Sequence, residues 1–218
     1  MTQNLSRRTF LAAASAASLF ATRDLASQEA MPTTPDAALQ RLMEGNKRFA
    51  ADQLTSLAED LKLLKANTVD KQEPFAAVLS CADSRVPVEL IFDQTIGHIF
   101  VTRVAGNFIN AEIVGSLEYG AVVLGVKVLL VIGHTGCGAV TAAMSKKPVP
   151  GQIASLFPHL EQAVEGGGSV EDVIKRNAVI QANLLAKTST VLAPMVKDGK
   201  LKIQGAYFDL ASGKVTLL

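Results

Sequence analysis

The sequence predicts an α/β protein: a mainly parallel central sheet flanked by helices, with an N-terminal helical arm and a C-terminal edge strand or hairpin. Two observations carry this. The apolar runs Phe75-Ala-Ala-Val-Leu-Ser80 and Lys127-Val-Leu-Leu-Val-Ile-Gly133 read as strands, and they alternate with segments of helical period. Val, Leu, Ile and Ala supply most of the apolar content, which is 49% of the residues, and Trp is absent. Buried parallel strands covered by helices have that composition.

The elements follow in order. Thr34-Pro35 reads as a helix cap followed by proline at the first helical position. Ala38, Leu39, Leu42, Met43 and Phe49 then recur near helical spacing, predicting a helix to about Ala51. A second helix is expected over roughly 54–66, and the polar stretch 70–74 ends in Pro74 as a connector. Strands are expected at 75–80, 98–103 and 127–132, separated by a short helix after Pro87 and a longer one over 112–124. Helices follow at 137–145 and 153–165. Gly166-Gly-Gly168 then punctuates, and Ser169 caps a long helix expected over 170–192. Strands at 201–209 and 214–218 close the chain around Ser212-Gly213.

At 218 residues the chain is long enough for one domain with a full core. A formal net charge of +1 gives no electrostatic reason to expect nucleic acid or an acidic membrane as partner. The first thirty residues stand apart. Ser6-Arg7-Arg8-Thr9-Phe10-Leu11 followed by an Ala-rich apolar run to about Ala21 has the layout of a twin-arginine export signal. The alternative is an amphipathic or disordered tail. The expectation is a signal peptide over about 1–30, a single domain over 31–218, and a precursor handled by the twin-arginine export machinery. The protein would then be periplasmic or extracellular, with no stable membrane anchor.

Two segments carry the chemistry: Cys81-Ala-Asp-Ser-Arg85 and His134-Thr-Gly-Cys137. Each directly follows a predicted strand. Parallel strands would bring both segments to the carboxyl edge of the sheet, where open α/β sheets place ligands. A disulfide is one reading of Cys81 and Cys137 in an exported protein. Two buried hydrophobic cysteines, or a redox pair, are others. His134 lies three residues before Cys137 among Gly133, Gly136 and Gly138, and this favours zinc. Two thiolates and an imidazole leave one coordination position open, as catalytic zinc sites do. Asp83 and Arg85 read either as a surface ion pair or as a dyad beside the metal, with Arg85 holding Asp83 ionised. His159 is expected to be a surface or satisfied histidine; the role of His98 stays open.

Cys81-x-Asp83-x-Arg85 with His134-x-x-Cys137 resembles the β-class carbonic anhydrases. The likeness extends to Gly45-Asn46-Lys47-Arg48-Phe49, Arg103-Val-Ala-Gly-Asn107, Ser116-Leu-Glu-Tyr119 and the closing Gly205-to-Gly213 stretch. It implies one zinc per chain on Cys81, His134 and Cys137, with the Asp83–Arg85 dyad catalytic. It implies reversible hydration of carbon dioxide to bicarbonate and a proton by zinc-bound hydroxide. By position it assigns Gln72, Phe100, Ala105 and Tyr119 and the Gly138 amide to substrate binding, in a homodimer or homotetramer whose pocket lies between chains. This chain has Gly97-His98 where the family usually has glycine and an acid, and Ala105 where a larger apolar residue is common. The missing Trp argues against the bicarbonate-regulated subtype. A carbon disulfide or carbonyl sulfide hydrolase on the same scaffold, and a non-catalytic zinc-binding protein, are the competing readings.

Overall fold

The protein is seen in a computed structural model that describes residues 30–59 and 61–218; the twin-arginine pattern lies outside the described residues. Helix α1 (Pro35–Ala50) opens where the sequence requires. The Thr34 hydroxyl accepts the Ala37 amide, Pro35 occupies the first turn, and Lys47 and Arg48 complement the dipole in the last. A 3₁₀ turn (Ser56–Ala58) and α2 (Leu61–Thr68) replace the continuous helix expected over 54–66.

The sheet contains β1 (Ala76–Ser80), β2 (Ile99–Arg103), β3 (Val128–His134), β4 (Lys202–Phe208) and β5 (Val215–Leu217), ordered β2-β1-β3-β4-β5. All neighbours are parallel except β4 and β5, which form the expected antiparallel edge. Between the strands run α3 (Val88–Ile91), α4 (Ala111–Val122), α5 (Gly138–Ser145), a 3₁₀ segment (Gly151–His159) and α6 (Glu161–Glu165). The long α7 (Val170–Thr188) and the short α8 (Leu192–Lys197) complete them.

Alternate residues of the buried strands face opposite layers, as the two-residue strand period requires. Val78, Val128, Leu130 and Ile132 pack with Ala38 and Leu42 of α1 and Val88, Ile91 and Phe92. Ala77, Leu79, Leu129 and Val131 pack with Leu117 of α4, Ala178, Ala182 and Leu185 of α7, and Leu192. Asn46 fixes α1 to both neighbours. Its Nδ2 donates to the carbonyls of Ile91 (3.2 Å) and Gly213 (2.9 Å), and its Oδ1 accepts the Val215 amide (2.8 Å).

Three expected element boundaries are corrected. The helix read over 153–165 is a 3₁₀ segment followed by α6, because Pro158 supplies no amide to continue an α-helical ladder. The long helix ends at Thr188 rather than Leu192. There Ser189 turns extended, and its hydroxyl donates to Glu118 while accepting the amides of Val191 and Leu192. That turn starts α8, which the sequence reading missed. β3 runs on to His134, beyond the expected end at Ile132. Gly133 permits this: a Cβ there would lie 2.7 Å from Ile174 Cγ2 of α7.

Candidate metal centre

β1 and β3 are adjacent and parallel, with Ser80 opposite Ile132, so Cys81 and His134 leave the same edge of the sheet. Cys137 sits immediately before α5. The two Sγ atoms and a His134 ring nitrogen lie within 4.8 Å of one another, and all three residues are buried. The sulfurs are 3.9 Å apart and unbonded, so the cysteines are free thiols rather than a disulfide.

Hydrogen bonding fixes the His134 tautomer. His134 Nδ1 lies 3.1 Å from the Thr135 carbonyl, which can only accept, so Nδ1 carries the proton. Nε2 is therefore the lone-pair nitrogen. It is fully buried without a hydrogen-bond partner. An orphaned buried acceptor of this kind beside two thiols fits a metal ligand. The Cys137 thiol and the Gly106 amide hold the Cys81 thiol down against burial, while the same hydrogen bond and burial push Cys137 up. Cys81 is thus the more acidic of the pair, and thiolates are the form that binds metal. Two sulfurs and one imidazole fit zinc in donor type and number.

Asp83 lies beside this set, its Oδ2 3.9 Å from His134 Nε2. Arg85 grips both carboxylate oxygens: Nε donates to Oδ1 at 2.9 Å, Nη2 to Oδ2 at 2.7 Å, and the Arg85 amide also reaches Oδ1 at 2.9 Å. These bonds hold the Asp83 carboxyl well below the usual carboxylate range. The loop itself is held by Arg103, whose Nε donates to the Cys81 carbonyl (2.9 Å) and Nη2 to the Asp83 carbonyl (2.5 Å). The Gly106 amide donates to Cys81 Sγ at 3.4 Å. Arg103 and Gly106 were not singled out from sequence as builders of the site. An arginine at a strand end followed by Gly-Asn was the available signal.

The residues expected to bind substrate separate into two groups. Ala105 precedes the Gly106 donor and Gly138 follows Cys137, so both lie at the metal set. Gln72 is exposed on the connector entering β1, at the other end of that strand from Cys81. Phe100 pairs with Ala77, three residues or about 10 Å back from the edge. Its ring lies 6.2 Å from that of Tyr119, which is exposed. Within one chain these three do not reach the metal set. His98 immediately precedes β2 at the same remote end; burial and Arg41 push its pKa down. His159 stacks flat on Phe108 at 4.1 Å.

A carbonic anhydrase family model matches residues 76–215, which include every residue of the metal set and the dyad. This chain belongs to the carbonic anhydrase family. Carbonic anhydrase 2 of Mycobacterium tuberculosis is 34% identical over 197 residues, covering 86% of this chain and 95% of that protein. The carbonic anhydrase of Mycolicibacterium smegmatis is 35% identical over 198 residues with the same coverage. Among solved structures, the β-carbonic anhydrase CafA of Aspergillus fumigatus is 28% identical with a TM-score of 0.63, over 84% of this chain and 89% of that one. The Coccomyxa β-carbonic anhydrase bound to acetazolamide shares the fold, with a TM-score of 0.67 over 83% of this chain and 86% of that one at 24% identity. The carbonic anhydrase is therefore of the β class, an enzyme of reversible carbon dioxide hydration that uses zinc. The relatives named here give no support to the sulfur-compound hydrolase or zinc-storage readings.

Proposed function

We propose that Cys81, His134 and Cys137 hold one zinc ion per chain, that Asp83 and Arg85 are the catalytic dyad beside it, and that the enzyme works as an exported homo-oligomer. The observation that carries the site assignment is the buried, partnerless His134 Nε2 closing on two free thiols.

When bound, zinc supplies an acidified water, with a pKa near 7 in favourable sites, as the nucleophile toward carbon dioxide. The residues around it divide the remaining work. Thr135 fixes the imidazole tautomer, so Nε2 faces the thiols rather than turning away. Asp83 stays ionised and accepts a hydrogen bond from the reacting water, aiming its lone pair. A carboxylate this strongly held by Arg85 is a poor proton store, so the released proton passes to solvent and buffer. Both Asp83 oxygens are engaged by Arg85, which keeps the carboxylate from becoming a fourth ligand. Carbon dioxide is small and apolar and needs little more than a narrow apolar wall, with the Gly138 amide as a polar contact for product.

Gln72, Phe100 and Tyr119 complete that wall in this reading by coming from a partner chain. Their placement away from their own metal set supports this. So does the tetrameric state of two Sordaria macrospora relatives, which share the fold at 21% identity. Export rests on the Arg7-Arg8 pattern and the apolar run after it. No helix among the described residues is long and apolar enough to cross a membrane.

The test is stopped-flow carbon dioxide hydration at ~pH 8, where the zinc-acidified water is mostly ionised. The zinc-loaded protein should be active, and Asp83→Asn should keep its zinc while losing about 100-fold in kcat. Absence of zinc-dependent hydration would overturn the proposal; unchanged kcat in Asp83→Asn would remove the dyad from it.

A further inference from the structure

The steps above leave two buried amide side chains of α7 without a task. Asn177 is 1% exposed and Gln181 is 3% exposed, one helical turn apart on the face that packs into the core. Apolar residues would fill that face at no desolvation cost, whereas buried amides must find partners. These find theirs in the segments around the metal set. Asn177 Nδ2 donates to the Gly106 carbonyl at 2.9 Å. Gln181 Oε1 accepts the Ile109 amide at 3.0 Å. Gln181 Nε2 donates to Asn177 Oδ1 and to the His159 carbonyl, both at 3.1 Å. The two amides thus form one satisfied network that grips the loop after β2 at both ends.

That loop carries the Gly106 amide, the donor to Cys81 Sγ. Gly106 has φ +89°, and a Cβ on it would meet Leu160 and Ala139 at 3.2–3.3 Å. Glycine lets the backbone come this close to the sulfur, but it does not hold the loop there. Asn177 does, through the carbonyl of the same residue. The N–H bond draws charge from a sulfur donor. It therefore tempers the electron richness that two thiolates give a metal, and it fixes the direction in which Cys81 points.

We propose that Asn177 and Gln181 are positioning residues that hold the Gly106 amide on the Cys81 sulfur and thereby set the affinity and the ligand field of the metal site. This rests on the reading of Cys81, His134 and Cys137 as the ligands. Partners that orient a ligand typically contribute 10–100-fold to metal affinity.

The experiment compares wild type, Asn177→Ala and Leu185→Ala. Leu185 is a fully buried residue of the same helix in the core layer that contains neither Cys81 nor Cys137, so its truncation controls for lost packing. Zinc affinity is read by chelator competition, and the cobalt-substituted proteins are read by their sulfur-to-metal charge-transfer band. Asn177→Ala should weaken zinc binding by about tenfold or more and shift the band; Leu185→Ala should lower thermal stability and leave both unchanged. Gln181→Met carries the same test should Asn177→Ala fail to fold, with the same expected direction and a smaller shift. Wild-type affinity and an unmoved band in the folded variant overturn the positioning role. A wild-type protein that binds no stoichiometric zinc instead overturns the ligand assignment, so the two failures are distinct.

Discussion

Asp93 shows what a single buried charge does away from the metal. It adopts φ +46° and its side chain is fully buried. Burial alone would raise its pKa, but Arg48 Nε at 2.5 Å, the Ser56 amide and the Thr55 amide and hydroxyl outweigh it and bring the carboxyl to about 2. A pKa depressed in the fold means the ionised form is favoured there. The stabilisation is complete above the ordinary carboxyl value of 3.8 and is lost as pH falls toward 2. Asp93→Asn should therefore cost about 2–3 kcal/mol at neutral pH. Urea titrations should show the gap from wild type closing as the pH falls through that window; a constant gap would count against the charge. At this scale the sequence was most legible where side chains act directly. Cys81, His134, Cys137, Asp83 and Arg85 could be read because each has chemistry of its own. Gly106 acts through a backbone amide and Arg103 through two backbone carbonyls, so neither residue type announces its role.

Among the elements, the strands were legible because a buried strand is a short apolar run. The helices were less so where one residue redirected the chain: Pro158 by its missing amide and Ser189 by offering its hydroxyl as an alternative partner. Close contacts between elements also leave little trace beyond glycine. Gly45 of α1 meets the end of α3 so tightly that an added Cβ would lie 1.8 Å from the Phe92 carbonyl oxygen. That carbonyl also accepts Gln94 Nε2, so it is not free to move. Gly45→Ala should lower stability by about 3 kcal/mol or more through forced separation of α1 from the end of α3. A melting temperature within a degree or two of wild type would contradict the tight docking.

For the whole molecule, strand order decides what is finished within one chain and what is not. The metal set closes between adjacent central strands, but β2 is an edge, and α4 beside it exposes Tyr119 and Val122, with Val123 exposed at its C-cap. If this face joins a partner, replacing Val122 and Val123 by Glu should reduce the assembly to monomers in light scattering. Hydration should fall in parallel while zinc stays bound; an unchanged mass would place the contact elsewhere. Export is tested on residues 1–218: Arg7→Lys with Arg8→Lys should leave the enzyme in the cytoplasmic fraction of a bacterial host, and undiminished periplasmic activity would refute the signal. The Asn46 tie adds an order of events. Its partner amide belongs to Val215, 169 residues later in the chain. The first described helix to be synthesised is thus completed late. Until Gly213 and Val215 have been made, α1 has its apolar stripe, the Ile91 carbonyl and the Arg48–Asp93 pair, but Asn46 is left with two of its three bonds unmade. A nascent chain of this protein passes most of its synthesis with that helix still on probation.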